Sequence, residues 1–234
     1  MTLEPSSYKR VRIFWDIDGT LIRTNGAAAI PFKNAIMNFL GSSIELDRKR
    51  LSGFTDYEII QSVFLDLNTE IEIDQIDQIL SDYTTNLPSS LKSGNAIKIN
   101  KISEVLMELE NSREFENAIA TGNCYSGAIT KLSHTDLLKF FKPENIFHAN
   151  HQNITRDQII AYAKKSLTAG QVGIIVGDSP KDIASAQKNE LKILAVATGM
   201  HSEEELLNIQ KFNVVGRDWQ KSELLDAIFE IANH

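Results

Sequence analysis

The chain has one cysteine in 234 residues, Cys124. It can therefore form no disulfide within itself, and a reducing compartment is expected. No stretch approaches the roughly 18 apolar residues that a membrane-crossing helix needs. The first ten residues, MTLEPSSYKR, are polar and lack the apolar core of a secretory signal. A cytoplasmic protein with no membrane partner is the expectation. Positive charge is also scarce. The net charge of −7 leaves no basic footprint for nucleic acid. KRVR at 9–12 comes nearest, but it runs straight into an apolar segment and reads as a solvated flank. The five histidines (His134, His148, His151, His201, His234) show no metal-ligand spacing. No internal repeat or low-complexity stretch is present. What remains is ordinary: 42% hydrophobic and 24% charged residues, enough for a real core. The length suits one large domain or a domain carrying an insertion.

Against this background one segment stands out, VRIFWDIDGT at 11–20. Val11 to Trp15 is a short β-branched and aromatic run closed by a turn signal, which predicts a buried strand. Strand side chains alternate, so Asp16 and Asp18 leave its C-terminal end on the same side. Gly19 allows a sharp turn and close approach to a ligand. Two adjacent carboxylates are tolerable if a cation lies between them or one keeps its proton. A plain Asp-Gly turn is the structural alternative. A calcium loop fits poorly, because the further acidic positions and the closing Glu are missing.

After Thr20 the pattern is helical. Ala27 to Leu40 has apolar residues at helix spacing, stopped by Gly41; Thr55 can cap a helix reaching Leu67; IEIDQIDQILSDYTTNL is a third amphipathic segment. PSSLKSGN at 88–95 reads as an exit linker. Beyond it, helices alternate with strands: a helix over 99–109, strand 116–121, helix 124–133, strand 146–150 and helix 156–167. An apolar strand ending at Asp178, helix 179–188, strand 191–199, helix 202–210, a short strand at 213–216 and helix 221–232 complete the chain. This alternation predicts an α/β fold, a Rossmann-like parallel sheet with helices on both faces. The all-helical segment 24–92 is then a cap inserted after the first strand, and 1–23 with 93–234 form the core.

In open α/β sheets ligands bind beyond the carboxyl ends of the strands. Three such ends carry polar groups: Asp16 with Asp18, then Thr121, Gly122 and Asn123, then Asp178 with Asp182. Each has a structural excuse as a helix cap or a first-turn acid. Jointly, at one sheet edge, carboxylates beside hydroxyl and N–H donors suit Mg²⁺ and a phosphate. Gly122 and Asn123, read as a helix start, can hold an anion.

DIDGT, TGN and GDSPKD, in this order after successive strands, resemble the haloacid dehalogenase-like superfamily. LSGFTDYEII is similar to the GxTD segment in caps of its phosphoglycolate phosphatase-like branch. The resemblance covers nearly the whole chain. It implies that Asp16 is a nucleophile forming an aspartyl-phosphate and that Asp18 is the general acid and then the base. It implies Mg²⁺ held by Asp16, the backbone carbonyl of Asp18 and Asp178, with Asp182 in support. Thr121 and Gly122 would bind phosphoryl oxygens. The family's usual lysine is missing; Lys142-Pro143 lies one element too early, and Arg156 stands at the matching place. Lys164 is the reserve cation, and a solvated helix start is the plain alternative for Arg156. Asp18 favours phosphate esters over dehalogenation, and a sugar phosphomutase or a non-catalytic binding module remain alternatives. Arg23, Lys33, Thr55 and Asp56 are weaker candidates to reach the leaving group. Cys124, near a helix start, has either a lowered pKa or a packing role. The expected partner is a small phosphorylated substrate, taken up by a monomer or a homodimer.

Overall fold

The computed structural model describes residues 11–233. Lys9 and Arg10 of the basic flank, the rest of the polar N-terminal segment and His234 lie outside the described residues. The chain opens with β1 (Val11–Trp15) and a two-residue strand β2 (Ile22–Arg23). Three helices follow, α1 (Ala29–Leu40), α2 (Asp56–Asp66) and α3 (Ile73–Ser93), and β3 (Ile97–Lys98) returns antiparallel to β2. The remainder alternates: α4 (Ile102–Asn111), β4 (Phe115–Cys124), α5 (Tyr125–His134), β5 (Ile146–Ala149) and α6 (Arg156–Lys165), then β6 (Val172–Gly177), α7 (Pro180–Lys188), β7 (Lys192–Val196), α8 (Glu203–Gln210), β8 (Val214–Val215) and α9 (Lys221–Asn233).

Six strands form one parallel sheet in the order β5-β4-β1-β6-β7-β8. Strand β1 is central because it is apolar on both faces. Phe14 packs into one buried cluster, while Val11, Ile13 and Trp15 pack into the other. Trp15 is fully buried and donates its indole N–H to Asn117 Oδ1 at 3.0 Å, so its burial leaves no polar atom unpaired. The chain builds outward from β1 through β4 and β5, then crosses back to β6 on the other side. That reversal opens a crevice at the carboxyl end of β1. Trp15 lies level with Ile119 of β4 and Val176 of β6. The register therefore brings Asp16, Thr121 and Asp178 to one edge.

Helix ends follow local rules. Thr55, Thr155, Ser179 and Ser202 each cap a helix in a reciprocal capping box. Gly41 ends α1 in the left-handed conformation at φ 68°. Two local expectations fail. The segment 88–95 is not a linker as far as Ser93; α3 runs straight through Pro88. An interior proline costs about 3 kcal/mol. Leu87 and Leu91, one on either side of it, are fully buried, and burial of each contributes about 1.5–3 kcal/mol. Second, β4 continues to Cys124 through an irregular register, so Gly122 and Asn123 end a strand and do not start a helix.

The three helices cover the carboxyl edge of the sheet. Helix α3 packs on α1 and on α5. The loop before α2 inserts between strand ends: a Cβ on Gly122 would lie 2.8 Å from the Phe54 carbonyl oxygen. Lys181 Nζ sits 3.5 Å from the centre of the Phe54 ring and bonds Glu58 at 2.9 Å.

Candidate active site

Asp16, the first residue beyond β1, is fixed by its N–H, which donates to Val176 O at 2.9 Å. Gly19, at φ +85°, turns the chain tightly over Asp178; a Cβ there would lie 2.4 Å from Asp178 Oδ2. Asp182 enters from the first turn of α7, where Oδ2 accepts from Ser179 N at 3.0 Å and Ser179 Oγ at 2.6 Å. One oxygen each of Asp16, Asp178 and Asp182 lie within 4.8 Å of one another, and all three residues are buried. Arg156, at the start of α6 and 3% exposed, spans the group. Nη1 is 3.1 Å from Asp16 Oδ1, and Nη2 donates to Asp182 Oδ1.

Charge balance here is incomplete. Three carboxylates share one guanidinium. Burial raises Asp16 to about 6; Arg156 draws it back, while Asp182 and Asp18 push it further up. Asp178 is lifted well above the carboxylate range, first by burial and then by Asp182, Asp16 and Asp18. Burial works against the charge on Arg156, but Asp182 and Asp16 outweigh it and raise the guanidinium further. Hard oxygen donors with surplus negative charge are the chemistry that Mg²⁺ selects. Asp182 is already committed to Ser179 and Arg156, which leaves Asp16 and Asp178 as the side chains free to hold an ion. The carboxylate of Asp18 is not part of this group, in keeping with the expectation that Asp18 would meet the ion through its backbone carbonyl. Arg156 Nε, buried, has no acceptor among the described residues.

A second cluster lies across the turn. Asp18 Oδ2 accepts from Lys131 Nζ at 2.5 Å and from Asn123 Nδ2 at 2.8 Å. Asn123 also donates to Thr121 Oγ1 at 2.8 Å, and its Oδ1 accepts from Lys131. Lys131 is 4% exposed. Burial opposes its charge, yet Asp18, Tyr83 and Asp56 together hold the ammonium above the usual lysine range. Asp56, at the start of α2, accepts the Cys124 N–H at 2.8 Å, and burial raises it to about 6. A cavity of about 420 Å³ runs over both clusters and is lined by Asp16, Asp18, Gly122, Asn123, Lys131 and Arg156, with Phe32, Phe54 and Tyr83 facing them.

Several sequence-predicted residues are elsewhere. Lys164 Nζ bonds Asn189 O at 2.7 Å and Glu190 at 3.2 Å, two helical turns from Arg156. Helical periodicity aimed it away from the site, so it is not a substrate cation. Thr55 is fully buried, caps α2 and donates to Ile154 O; its hydroxyl is occupied and does not line the cavity. Thr121 is likewise fully buried behind Asn123. Lys33 pairs with Glu45 at 2.8 Å. Lys142 is exposed ahead of β5. His148 lies against Tyr125, and His151 is 3.1 Å from Asp77. Burial and the neighbouring Asp56 push the Cys124 thiol upward, the opposite of an activated cysteine. Lys131 is a site residue that no motif in the sequence marks. The signal was present: it shares the buried face of α5 with Gly127 and Ala128, where a lysine needs a buried partner.

Three solved structures share this architecture. A haloacid dehalogenase-like family hydrolase from Streptococcus pneumoniae is 20% identical, covers 94% of this chain and 99% of its own, and superposes with a TM-score of 0.66. A predicted phosphatase from Clostridium acetobutylicum is 21% identical with the same coverage and a TM-score of 0.72. A HAD hydrolase of family IA, variant 3, from Entamoeba histolytica is 20% identical, again with 94% and 99% coverage, at a TM-score of 0.70. At these identities the likeness is one of fold. No curated protein matches the sequence. The family model for haloacid dehalogenase-like hydrolases matches residues 13–196, and the chain belongs to that family.

Proposed function

We propose that the protein is a Mg²⁺-dependent phosphatase that hydrolyses a small phosphorylated metabolite through an aspartyl-phosphate on Asp16. One observation carries this reading: Asp16, at the end of the central strand, pairs with buried Arg156 beside Asp178 and faces the cavity. Asp16 attacks phosphorus, and the ester P–O bond breaks as Asp18 gives its proton to the leaving oxygen. Water then attacks the phosphorus of the acyl phosphate, and Asp18 takes up the water's proton. Phosphate leaves and Asp16 is restored. Mg²⁺, held by Asp16, Asp178 and the Asp18 carbonyl, would keep Asp16 ionised and offset phosphate charge.

Arg156 orients Asp16 and keeps a fixed positive charge beside the reacting phosphate. Lys131 and Asn123 fix one oxygen of Asp18 and leave the other for proton exchange. Residues 24–92 act as a cap over the core formed by 1–23 and 93–234, excluding bulk water from the reacting phosphate. The protein works in the cytoplasm, as a monomer or homodimer, without nucleic acid or membrane.

The test is phosphate release from p-nitrophenyl phosphate, acetyl phosphate, phosphoglycolate and a sugar-phosphate panel, with Mg²⁺, with EDTA, and with Asp16→Asn. Release that needs Mg²⁺ and is abolished by the substitution supports the phosphatase. Interconversion of sugar phosphates primed by a bisphosphate, without net release, would instead mean a phosphomutase. Neither activity in a folded, Mg²⁺-binding protein would leave a non-catalytic module.

A further inference from the structure

Three arginines line the same cavity away from the acidic clusters: Arg23 of β2, Arg48 between α1 and α2, and Arg217 after β8. Arg23 Nη2 donates to Thr198 O at 3.2 Å, and Arg217 Nη2 donates to Gly199 O at 2.9 Å. Two guanidinium groups are thus anchored on the carbonyls of consecutive residues just beyond β7. Arg48 leans over the loop that follows β2, its Nη1 lying 3.4 Å from where a Cβ on Gly26 would stand.

A carbonyl anchor orients a guanidinium without neutralising it. Arg12, Arg50 and Arg156 each pair with a carboxylate. Among the described residues, none of the three cavity arginines has one within 4 Å. Arg23 is half-buried and Arg48 and Arg217 are exposed, so solvent screens their mutual repulsion, and what they share is one cavity wall of positive charge that attracts an anion. Each fork has five N–H donors, and one hydrogen bond leaves the rest for a planar or tetrahedral oxyanion.

The anchors also set the span. A Cβ on Gly199 would lie 1.6 Å from Asp178 Oδ2, and Thr198 Oγ1 donates to Gly19 O. Arg23 and Arg217 are therefore anchored on a loop that touches Asp178, the acid beside Asp16. We infer that they form a second anion subsite, and that the substrate is a phosphate ester whose leaving group carries its own carboxylate or phosphate. This inference rests on the phosphatase reading for the turnover of that ester, but not for its binding.

Matched pairs test it: phosphoglycolate against 2-hydroxyethyl phosphate, and 1,3-propanediol bisphosphate against 3-hydroxypropyl phosphate. The wild type is expected to prefer the charged member of at least one pair by tenfold or more in kcat/KM. In the R23Q/R48Q/R217Q variant that ratio should fall at least tenfold, mainly through KM. The pair that responds identifies a carboxylate or a phosphate. Calorimetry on Asp16→Asn with Mg²⁺ reads the subsite without turnover, so tight binding of the charged member, lost when the arginines are removed, upholds the subsite even if no phosphate is released. Equal handling of charged and neutral members by the wild type in both measurements, or an unchanged ratio in the triple variant, overturns it.

Discussion

The two clusters on either side of the Asp16–Thr20 turn each set carboxylates around one buried cation and are balanced differently. At the ends of β1 and β6, three carboxylates surround one guanidinium, and Asp16 and Asp178 are both pushed upward. Across the turn, Lys131 sits between Asp18 and Asp56, and the two ends of the Asn123 side-chain amide complete the network. The first cluster is short of positive charge and is suited to gain a cation. The second is close to self-sufficient and holds one carboxylate still. In the proposed reaction the first does the charge work and the second the proton work.

Removing the cation of the first cluster should have the largest effect. Arg156→Met is expected to lower kcat by about 10³-fold, the upper range for loss of a donor at a developing charge. Lys164→Gln should leave steady-state turnover within about twofold, because Lys164 is tied to Asn189 and Glu190. Asp178→Asn should next remove the response to metal. In a thermal melt, saturating Mg²⁺ stabilises the wild type by about 3 kcal/mol at a hundredfold excess over Kd and the variant by almost nothing. In EDTA the variant should melt higher, since one carboxylate of the crowd is gone.

The second cluster is probed by Lys131→Met. We expect a loss of about 10- to 100-fold in kcat with KM little changed, less than the roughly 10²- to 10⁴-fold worth of a general acid, because Asp18 itself remains. The loss should be larger for alkyl phosphates than for p-nitrophenyl phosphate, whose leaving group needs no proton. An equal loss for both would reduce Lys131 to a packing role.

The smallest effect concerns Asp56. Its value of about 6 exceeds the ordinary 3.8, so the native state binds that proton more tightly than the unfolded chain. Its contribution to stability is thus present at low pH and is lost as pH rises through about 6. Asp56→Asn keeps an acceptor for the Cys124 N–H. By denaturant unfolding it should exceed the wild type by on the order of 1–3 kcal/mol at pH 7.5, with the gap closing near pH 4.

Residues of this site that follow directly from strands were legible in the sequence. Asp16, Asp18 and Asp178 follow apolar runs whose strand character is local, and Ser179 announces the helix carrying Asp182. Arg156 is reached through the family resemblance, as the cation standing where the usual lysine is missing. Lys131, by contrast, stands mid-helix, where a lysine is ordinarily a solvated face residue. Its inward direction depends on α3 and α2 closing over α5. The same holds for Thr55, whose capping role is local but whose distance from the cavity is not. Pro88 misled because local chemistry marks an exit while two buried leucines hold the helix together.

By itself the sequence determined the α/β alternation, the helical insertion and the acidic strand ends, because these rest on periodicity and turn chemistry within a few residues. Only the tertiary structure decided which cation meets which carboxylate. It also decided which arginines have no carboxylate partner among the described residues. Two of those pairings join residues more than a hundred positions apart, Lys131 with Asp18 and Arg156 with Asp16, and sheet order and helix packing alone bring them within hydrogen-bonding reach.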